Sequence, residues 1–343
     1  MTVRPSTPLR YAQGERRRPP LLSWSTRSGR ARLYQLALLA GLLLVVAGLW
    51  WTTRHNLAAR QIRSGFGFLR EPAGFDIGEG PVGFTPSDSY LWAFWAAIAN
   101  TLRVSAAGIV AATLLGTLVG VGRLSRNVLV YGLSTLYVEV LRNVPLIIQL
   151  FTWYVVTTEL LPDPATPLQL LPHVFLSKGG LQYPVPTFGH GWDLPEVTAF
   201  NVAGGGGVTP EFLTLFIGLT TFTAAAIAEI VRSGVQAVSH GQAEAALALG
   251  LTRRQVLRLV LLPQALRVII PPLTSQFLNL TKNSSLAVAI GYPDLVSVAN
   301  TAMNQNGQAL ECILLIMAVY LVVNLVTALA MGWYDRRVML VEH

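Results

Sequence analysis

The sequence predicts an all-α integral membrane protein with about six transmembrane helices. Three observations carry that reading. Of 343 residues, 52% are hydrophobic and only 12% charged, with a mean hydropathy of +0.50; a soluble domain carries about twice that charged fraction. The apolar residues are gathered into runs long enough to cross a hydrocarbon core of roughly 30 Å. The arginines are concentrated in alternate segments between those runs, the asymmetry that sets orientation in a bilayer.

The first run, Leu33 to Trp51, is uncharged and closes on Trp50 and Trp51 as interfacial anchors. Its aromatic end is no small-residue cleavage site, so it reads as a retained span behind an arginine-rich tail over residues 1–32. The second run is Trp95 to Val121, after an interfacial Tyr90-Leu91-Trp92. Val128 to Glu159 reads as one apolar stretch, yet as one helix it would extend roughly 48 Å, and Glu139, Arg142 and Pro145 interrupt it. It therefore divides into an interfacial or bundle-packed helix over 128–142 and a span from Pro145 to about Leu160, since proline is tolerated in a first helical turn. The fourth span is Phe212 to Val231. The fifth, Ile269 to Ile290, is broken or kinked at its start by Pro271-Pro272. The sixth is Ile313 to Trp333.

The tail holds eight arginines, Arg123 and Arg126 follow span two, Arg232, Arg253, Arg254, Arg258 and Arg267 follow span four, and Arg336 and Arg337 follow span six. The 161–209 loop has Lys178 alone, and 291–312 has neither Lys nor Arg. The 54–90 loop is mixed. The balance places both termini in the cytoplasm, as an even number of spans requires. The 161–209 loop is then an extracytoplasmic insertion, and its Gly204–Gly207 run, which lacks the Gly-Lys-Ser/Thr of a phosphate loop, reads as a flexible linker.

Residues 233–268 form the longest cytoplasmic stretch between spans. Gly241-Gln242-Ala243-Glu244-Ala245-Ala246-Leu247-Ala248-Leu249 favours a helix, and Gly250 is a natural stop for it. Thr252 with Gln255 is a capping box that starts a second helix, which Pro263 ends. The result is a helix–turn–helix with an alanine-rich surface that another protein can approach closely, or else an ordinary interfacial loop helix.

Glu244-Ala245-Ala246, Gly250, then Val260-Leu261-Leu262-Pro263 resembles the "EAA" loop of ABC importer permeases, with Val260 where that pattern has Ile. Further strings resemble one branch of them, the permeases for polar amino acids (histidine, glutamine, glutamate and general L-amino acid importers). They are Asn100-Thr101-Leu102-Arg103, Glu139-Val140-Leu141-Arg142-Asn143-Val144-Pro145, Ala228-Glu229-Ile230-Val231-Arg232 and Lys282-Asn283-Ser284-Ser285. The resemblance covers roughly residues 90–160 and 208–335, and the long insertion before span four is similar to the general L-amino acid subgroup. It implies a five-helix importer core over 91–335, with an extra N-terminal span over 33–53 and a periplasmic loop over 54–90. It implies residence in a bacterial inner membrane. It implies that Gly241, Glu244, Ala245, Ala246, Gly250, Leu262 and Pro263 dock onto a separate ATPase, which holds ATP-Mg. The further implied partners are a second permease, identical or related, and a periplasmic substrate-binding protein. No cofactor and no nucleic acid is expected on this chain.

Charged residues at membrane depth are costly and face a bundle interior or a watery path. Lys282 lies about eleven residues, roughly 16 Å, beyond Pro271, with Asn283, Ser284 and Ser285 after it; these are candidates to meet a substrate carboxylate, or to pair structurally between spans. Glu139 with Arg142, and Glu229 with Arg232, are three apart and share a helix face, as a gate or as plain intrahelical pairs. Asn100, Thr101 and Arg103 fall at the outer end of span two, where packing alone would explain them. Gly116 and Gly120 make a Gly-x-x-x-Gly that permits close helix contact, within this subunit or with another. The single cysteine, Cys312, excludes a disulfide or cysteine metal site within the chain, and the five histidines form no metal-ligand pattern. No paired catalytic groups and no Walker motif are present, so catalysis is not expected here. The alternatives are an ABC permease for another small polar solute and an ion-coupled secondary transporter, although no inverted repeat is visible.

Overall fold

The structure, a computed structural model, describes residues 27–59, 64–187, 189 and 191–338. Most of the basic tail lies outside the described residues. The chain divides into two units, before and after about residue 64.

The first unit is one helix, α1 (Arg27–Ala59), whose apolar side chains are exposed almost throughout. Residues 30–56 are long and apolar enough to cross a membrane, as predicted.

The second unit begins with a turn of 3-10 helix at Phe66–Arg70, then α2 (Tyr90–Gly122), α3 (Val128–Asn143) and α4 (Leu146–Val155), which runs on through a wide π turn to Leu160. Asn127 caps α3 by accepting from the Leu129 and Val130 N–H groups. Pro145 forces the residue before it out of helical geometry, and Val144 is extended at φ −94°, ψ 126°. The axis turns by 106° there, dividing the long apolar stretch as its sequence predicts. Among the described residues, four of the five helices long enough to span belong to this unit, and α3–α4 together make up a sixth candidate.

The insertion folds into small antiparallel sheets. Its strands are β1 (Leu168–Leu171), β2 (Val174–Ser177), β3 (Gly180–Tyr183), β4 (Val185–Thr187), β5 (Gly191–Asp193), β6 (Glu196–Val197), β7 (Val202–Ala203) and β8 (Gly206–Val208). The largest sheet has the order β1-β2-β3-β8, with Gln182 opposite Gly207. This corrects the reading of Gly204–Gly207 as a linker. Gly204 and Gly205 take positive φ values of 80° and 65°, which turn the chain into β8. Gly206 and Gly207 are strand residues that pair with Tyr183 and Gln182 of β3.

Beyond the insertion, α5 (Pro210–Gln236) is followed by α6 (His240–Ala248), the short α7 (Arg253–Gln255) and α8 (Leu262–Asn283), with α9 (Leu295–Asn306) and α10 (Ala309–Val338) closing the bundle. Two proline expectations fail. Residues 253–289 are continuously helical, so Pro263 does not end a helix and the span is not broken at Pro271-Pro272, which lie inside α8. A π turn at Val256–Leu261 precedes Pro263, and the Leu262 N–H reaches back five residues to the Leu257 carbonyl. The wider turn eases the conflict of a proline ring with the preceding turn. Pro271 and Pro272 are exposed, with their rings away from the packed core.

The core is the contact of α2 with α5, which run side by side in the same direction away from the insertion. An added Cβ at Gly116 would stand 2.7 Å from Ile227 Cβ and 2.8 Å from the Ala224 carbonyl; at Gly120 it would stand 2.8 Å from the Ala228 carbonyl. The Gly-x-x-x-Gly motif therefore seats α5 against α2 within this subunit. α8 packs antiparallel to both, placing Leu280 at Gly108 and Ile269 at Gly234. At the insertion end, Phe68, Ala73 and Ile77 join Tyr90, Phe94, Leu295, Val298 and Cys312 in a second cluster. The segment after Gly65 is thus packed onto the bundle.

Candidate functional site

Two ends and one face of the bundle carry the polar chemistry. At the end away from the insertion, α6 stops as the sequence predicts. Gly250 sits at φ 86°, its N–H donates to the Leu247 carbonyl at 2.9 Å, and the Leu251 N–H donates to the Ala246 carbonyl at 3.2 Å. This is the paired bonding of a Schellman stop. The Thr252–Gln255 capping box is also formed, the Thr252 N–H donating to Gln255 Oε1 at 2.9 Å. Gly241, Glu244, Ala245 and Gly250 are exposed, Leu262 is exposed on α8, and Pro263 is half-buried. Ala246 differs from the expectation of an open alanine surface: it is buried, and α6 stands on the 256–261 turn. Beneath α6 an apolar cavity of about 190 Å³ is lined by Val235, Val238, Ala243 and Leu261.

At the same end Glu229 joins two helices. Its carboxylate accepts from Arg232 Nε at 3.2 Å on its own helix and from Arg123, just beyond the end of α2. Arg232 Nη1 continues to Gln236 Oε1 at 2.6 Å. The local pair was legible in the three-residue spacing; the Arg123 contact, 106 residues away in sequence, was not. Glu139 and Arg142 are both exposed and form no ion pair with each other among the described residues, so their predicted pairing is not observed. Neither forms an ion pair with the Glu229 cluster among the described residues.

Along α8, Ser275, Asn279 and Lys282 are exposed and lie three or four residues apart on one face of a membrane-length helix. Ser275 and Asn279 were not singled out in the sequence, although their spacing from Lys282 was readable there. Ser284 and Ser285 turn inward to their own backbone: Ser284 Oγ donates to the Thr281 carbonyl at 2.8 Å and Ser285 Oγ to the Lys282 carbonyl at 2.7 Å. Asn283 is half-buried beside them.

At the insertion end, Asn100, Thr101 and Arg103 do more than pack. Asn100 Nδ2 donates to the carbonyls of Glu79 at 2.8 Å and Pro293 at 3.0 Å, and the Leu295 N–H donates to Thr101 Oγ1 at 3.0 Å. Arg103 pairs with Glu79 at 3.0 Å, and Thr209 holds the other Glu79 oxygen. Asp294 caps α9 by accepting from the Ser297 N–H at 2.8 Å and is fully buried. Burial pushes its carboxyl up to about 7. In the unfolded chain it ionises near 4, so the folded state is favoured most below that value. The advantage falls as pH rises from about 4 to 7 and is flat above. Asp294→Asn retains a capping oxygen. It is expected to raise the melting temperature in detergent by several degrees at pH 8 and to change little at pH 4.5. An equal shift at both pH values would show that the buried carboxyl is not the cause.

The profile of the family described as "Binding-protein-dependent transport system inner membrane component" matches residues 104–340. The chain belongs to that family. The match takes in the α2–α5 contact, the α6 loop, Glu229 and the polar face of α8. Relatives of this permease include the general L-amino acid transport system permease protein AapQ of Rhizobium johnstonii, 40% identical with 93% of this chain and 96% of that protein covered. The putative amino-acid ABC transporter permease protein YhdX of Escherichia coli is 39% identical, with 94% of this chain and 97% of that protein covered. The glutamate/aspartate import permease protein GltJ of Escherichia coli is 36% identical, covering 78% of this chain and 94% of its own length. The permease shares its fold with a solved amino acid ABC transporter at a TM-score of 0.54 and 24% identity, covering 72% of this chain and 95% of that one. The MetNI methionine ABC transporter gives 0.51 at 18% identity, covering 73% and 98%.

Proposed function

We propose that the permease is the membrane subunit of an ATP-driven importer of amino acids in a bacterial inner membrane. The observation that carries the reading is α6: an exposed, tightly stopped helix at one end of the bundle, standing on the helix that carries Lys282. A partner that displaces α6 pushes on the 256–261 turn and so on the whole of α8. The partner is an ATPase subunit that binds ATP-Mg, and both ends of the permease lie on its cytoplasmic side. The relatives' names, which speak of L-amino acids, glutamate and aspartate, support the substrate class.

The polar face of α8 is exposed in a single chain, and a charged residue on a span is stable only against a partner or water. A second permease, identical or related, covers it and completes the path. A binding protein delivers substrate at the insertion end. ATP binds one global state better than the other and so shifts the pair between outward and inward openings.

The test is co-purification from detergent. The wild-type chain is expected to bring down an ATPase whose hydrolysis the binding protein stimulates. Glu244→Lys combined with Gly250→Trp should lose that ATPase while keeping a normal elution profile. A wild-type chain that purifies alone and moves solute in liposomes without ATP would replace this reading with a secondary transporter.

A further inference from the structure

Between the insertion and the turn at residues 78–81 lies an open cavity of about 580 Å³, ample for one solute of amino-acid size. Neither wall belongs to the polar face of α8. One wall is Glu79 with Arg103 of α2; the other is Gln182 and Tyr183 of β3 with Gly207 of β8. The insertion therefore builds half of the cavity.

Its charged lining is a rigid, neutral pair. Arg103 Nη1 lies 3.0 Å from Glu79 Oε1, with 25% and 7% of the two side chains exposed. The guanidinium carbon sits 4.5 Å from the centroid of the Phe212 ring, and Thr209 fixes the far carboxylate oxygen. A guanidinium has five N–H donors in a planar fork suited to carboxylates. Glu79 accepts from one of them; no other acceptor for Arg103 is found among the described residues, and the side chain, 25% exposed, lines the cavity. Burial raises the Glu79 carboxyl above its ordinary range in spite of Arg103, so an arriving cation would favour the ionised form. Gln182 Nε2 donates to the Gly179 carbonyl at 3.2 Å, and Gln182 Oε1 is buried behind the same wall without a partner.

We propose that this cavity is a binding site for a free amino-acid zwitterion, with the carboxylate on the open N–H edge of Arg103 and the ammonium against Glu79. A neutral pair meets a neutral, dipolar solute, and the volume leaves the solute's side chain loosely selected. The site would hold substrate at the insertion end, apart from the α8 face. It rests on the importer reading for the choice of solute alone.

The test is equilibrium binding of radiolabelled L-glutamine to the full chain in lipid nanodiscs, with any co-purifying subunits, without ATP and without a binding protein. Arg103→Gln should weaken binding at least tenfold, and Arg103→Lys less. N-acetyl-L-glutamine, which lacks the ammonium, should compete at least tenfold more weakly than L-glutamine. Because Arg103→Gln also disturbs the Glu79 pair, Gly207→Phe is the second variant. A Cβ there meets only Leu181 O at 3.7 Å and Gln182 Cγ at 3.8 Å, so the ring fills the cavity and leaves the ion pair alone; binding should be lost. Leu170→Ser, on exposed β1 away from the cavity, should bind as wild type. Failure of the wild type to bind, or wild-type binding by both Arg103→Gln and Gly207→Phe, overturns the site. The importer reading falls separately, on absence of an ATPase in the purified complex.

Discussion

Replacing Gly116 with leucine should abolish recovery of folded permease. The Cβ alone would lie 2.8 Å from the Ala224 carbonyl and 2.7 Å from Ile227 Cβ. Neither is the far end of a flexible side chain, so α5 must move bodily away from α2. Over-packing a core typically costs about 1–3 kcal/mol and sometimes more; here the intrusion meets backbone at the centre of the longest contact in the bundle. In membranes that contact has little hydrophobic drive and depends on close van der Waals fit. Two glycine substitutions in the same chain serve as controls. Gly108→Ala meets only the Leu280 methyls, at 3.4 and 3.5 Å, and should be tolerated. Gly132→Leu meets nothing within 4 Å and should leave the yield unchanged. The measurement is the monodisperse peak after detergent extraction. A Gly116→Leu peak at wild-type height would mean that α2 and α5 do not pack through this motif.

What could be read from the sequence follows the range of the forces involved. The spans were legible because a hydrocarbon core demands long apolar runs, and the divide at Pro145 because a proline restricts its immediate predecessor. The stop at Gly250 and the Thr252–Gln255 box were legible for the same reason: caps act over four or five residues. Pro263 and Pro271-Pro272 misled because the effect of a proline depends on the turn around it, and the π turn at Val256–Leu261 leaves no clear mark in composition. The strands of the insertion were hidden by short length and by glycines that serve both turns and pairing. The long-range ion pairs were beyond reach. Arg103 meets Glu79 across 24 residues, and Arg123 meets Glu229 across 106, with no periodic signal connecting either pair. The candidate site was therefore visible where it is local, in the α6 loop and Lys282, and invisible where it is tertiary.

The Arg123–Glu229–Arg232 cluster gives the second large expected effect. Glu229 is the one acid between two guanidiniums, and only the Arg123 bond crosses from α2 to α5. Glu229→Gln leaves two cations facing each other, and hydrogen bonds to charged groups are worth about 1.5–3 kcal/mol each. Arg123→Gln should be nearly as damaging, and Arg232→Gln less so, because its half-buried pair with Glu229 lies within one helix and joins no second element. Glu229 and Arg232 lie about two to three turns before α6, on the helix that leads into it. Loosening it should let α6 shift without carrying α2 along. We expect transport to fall at least tenfold in Glu229→Gln while an ATPase subunit still co-purifies. The decisive comparison is the double variant Arg123→Gln with Glu229→Gln. If the two residues act as one clamp, it should transport no worse than either single variant, since each has already broken the same bond. If the losses multiply instead, Arg123 and Glu229 serve separate roles, and the clamp between α2 and α5 must be sought elsewhere.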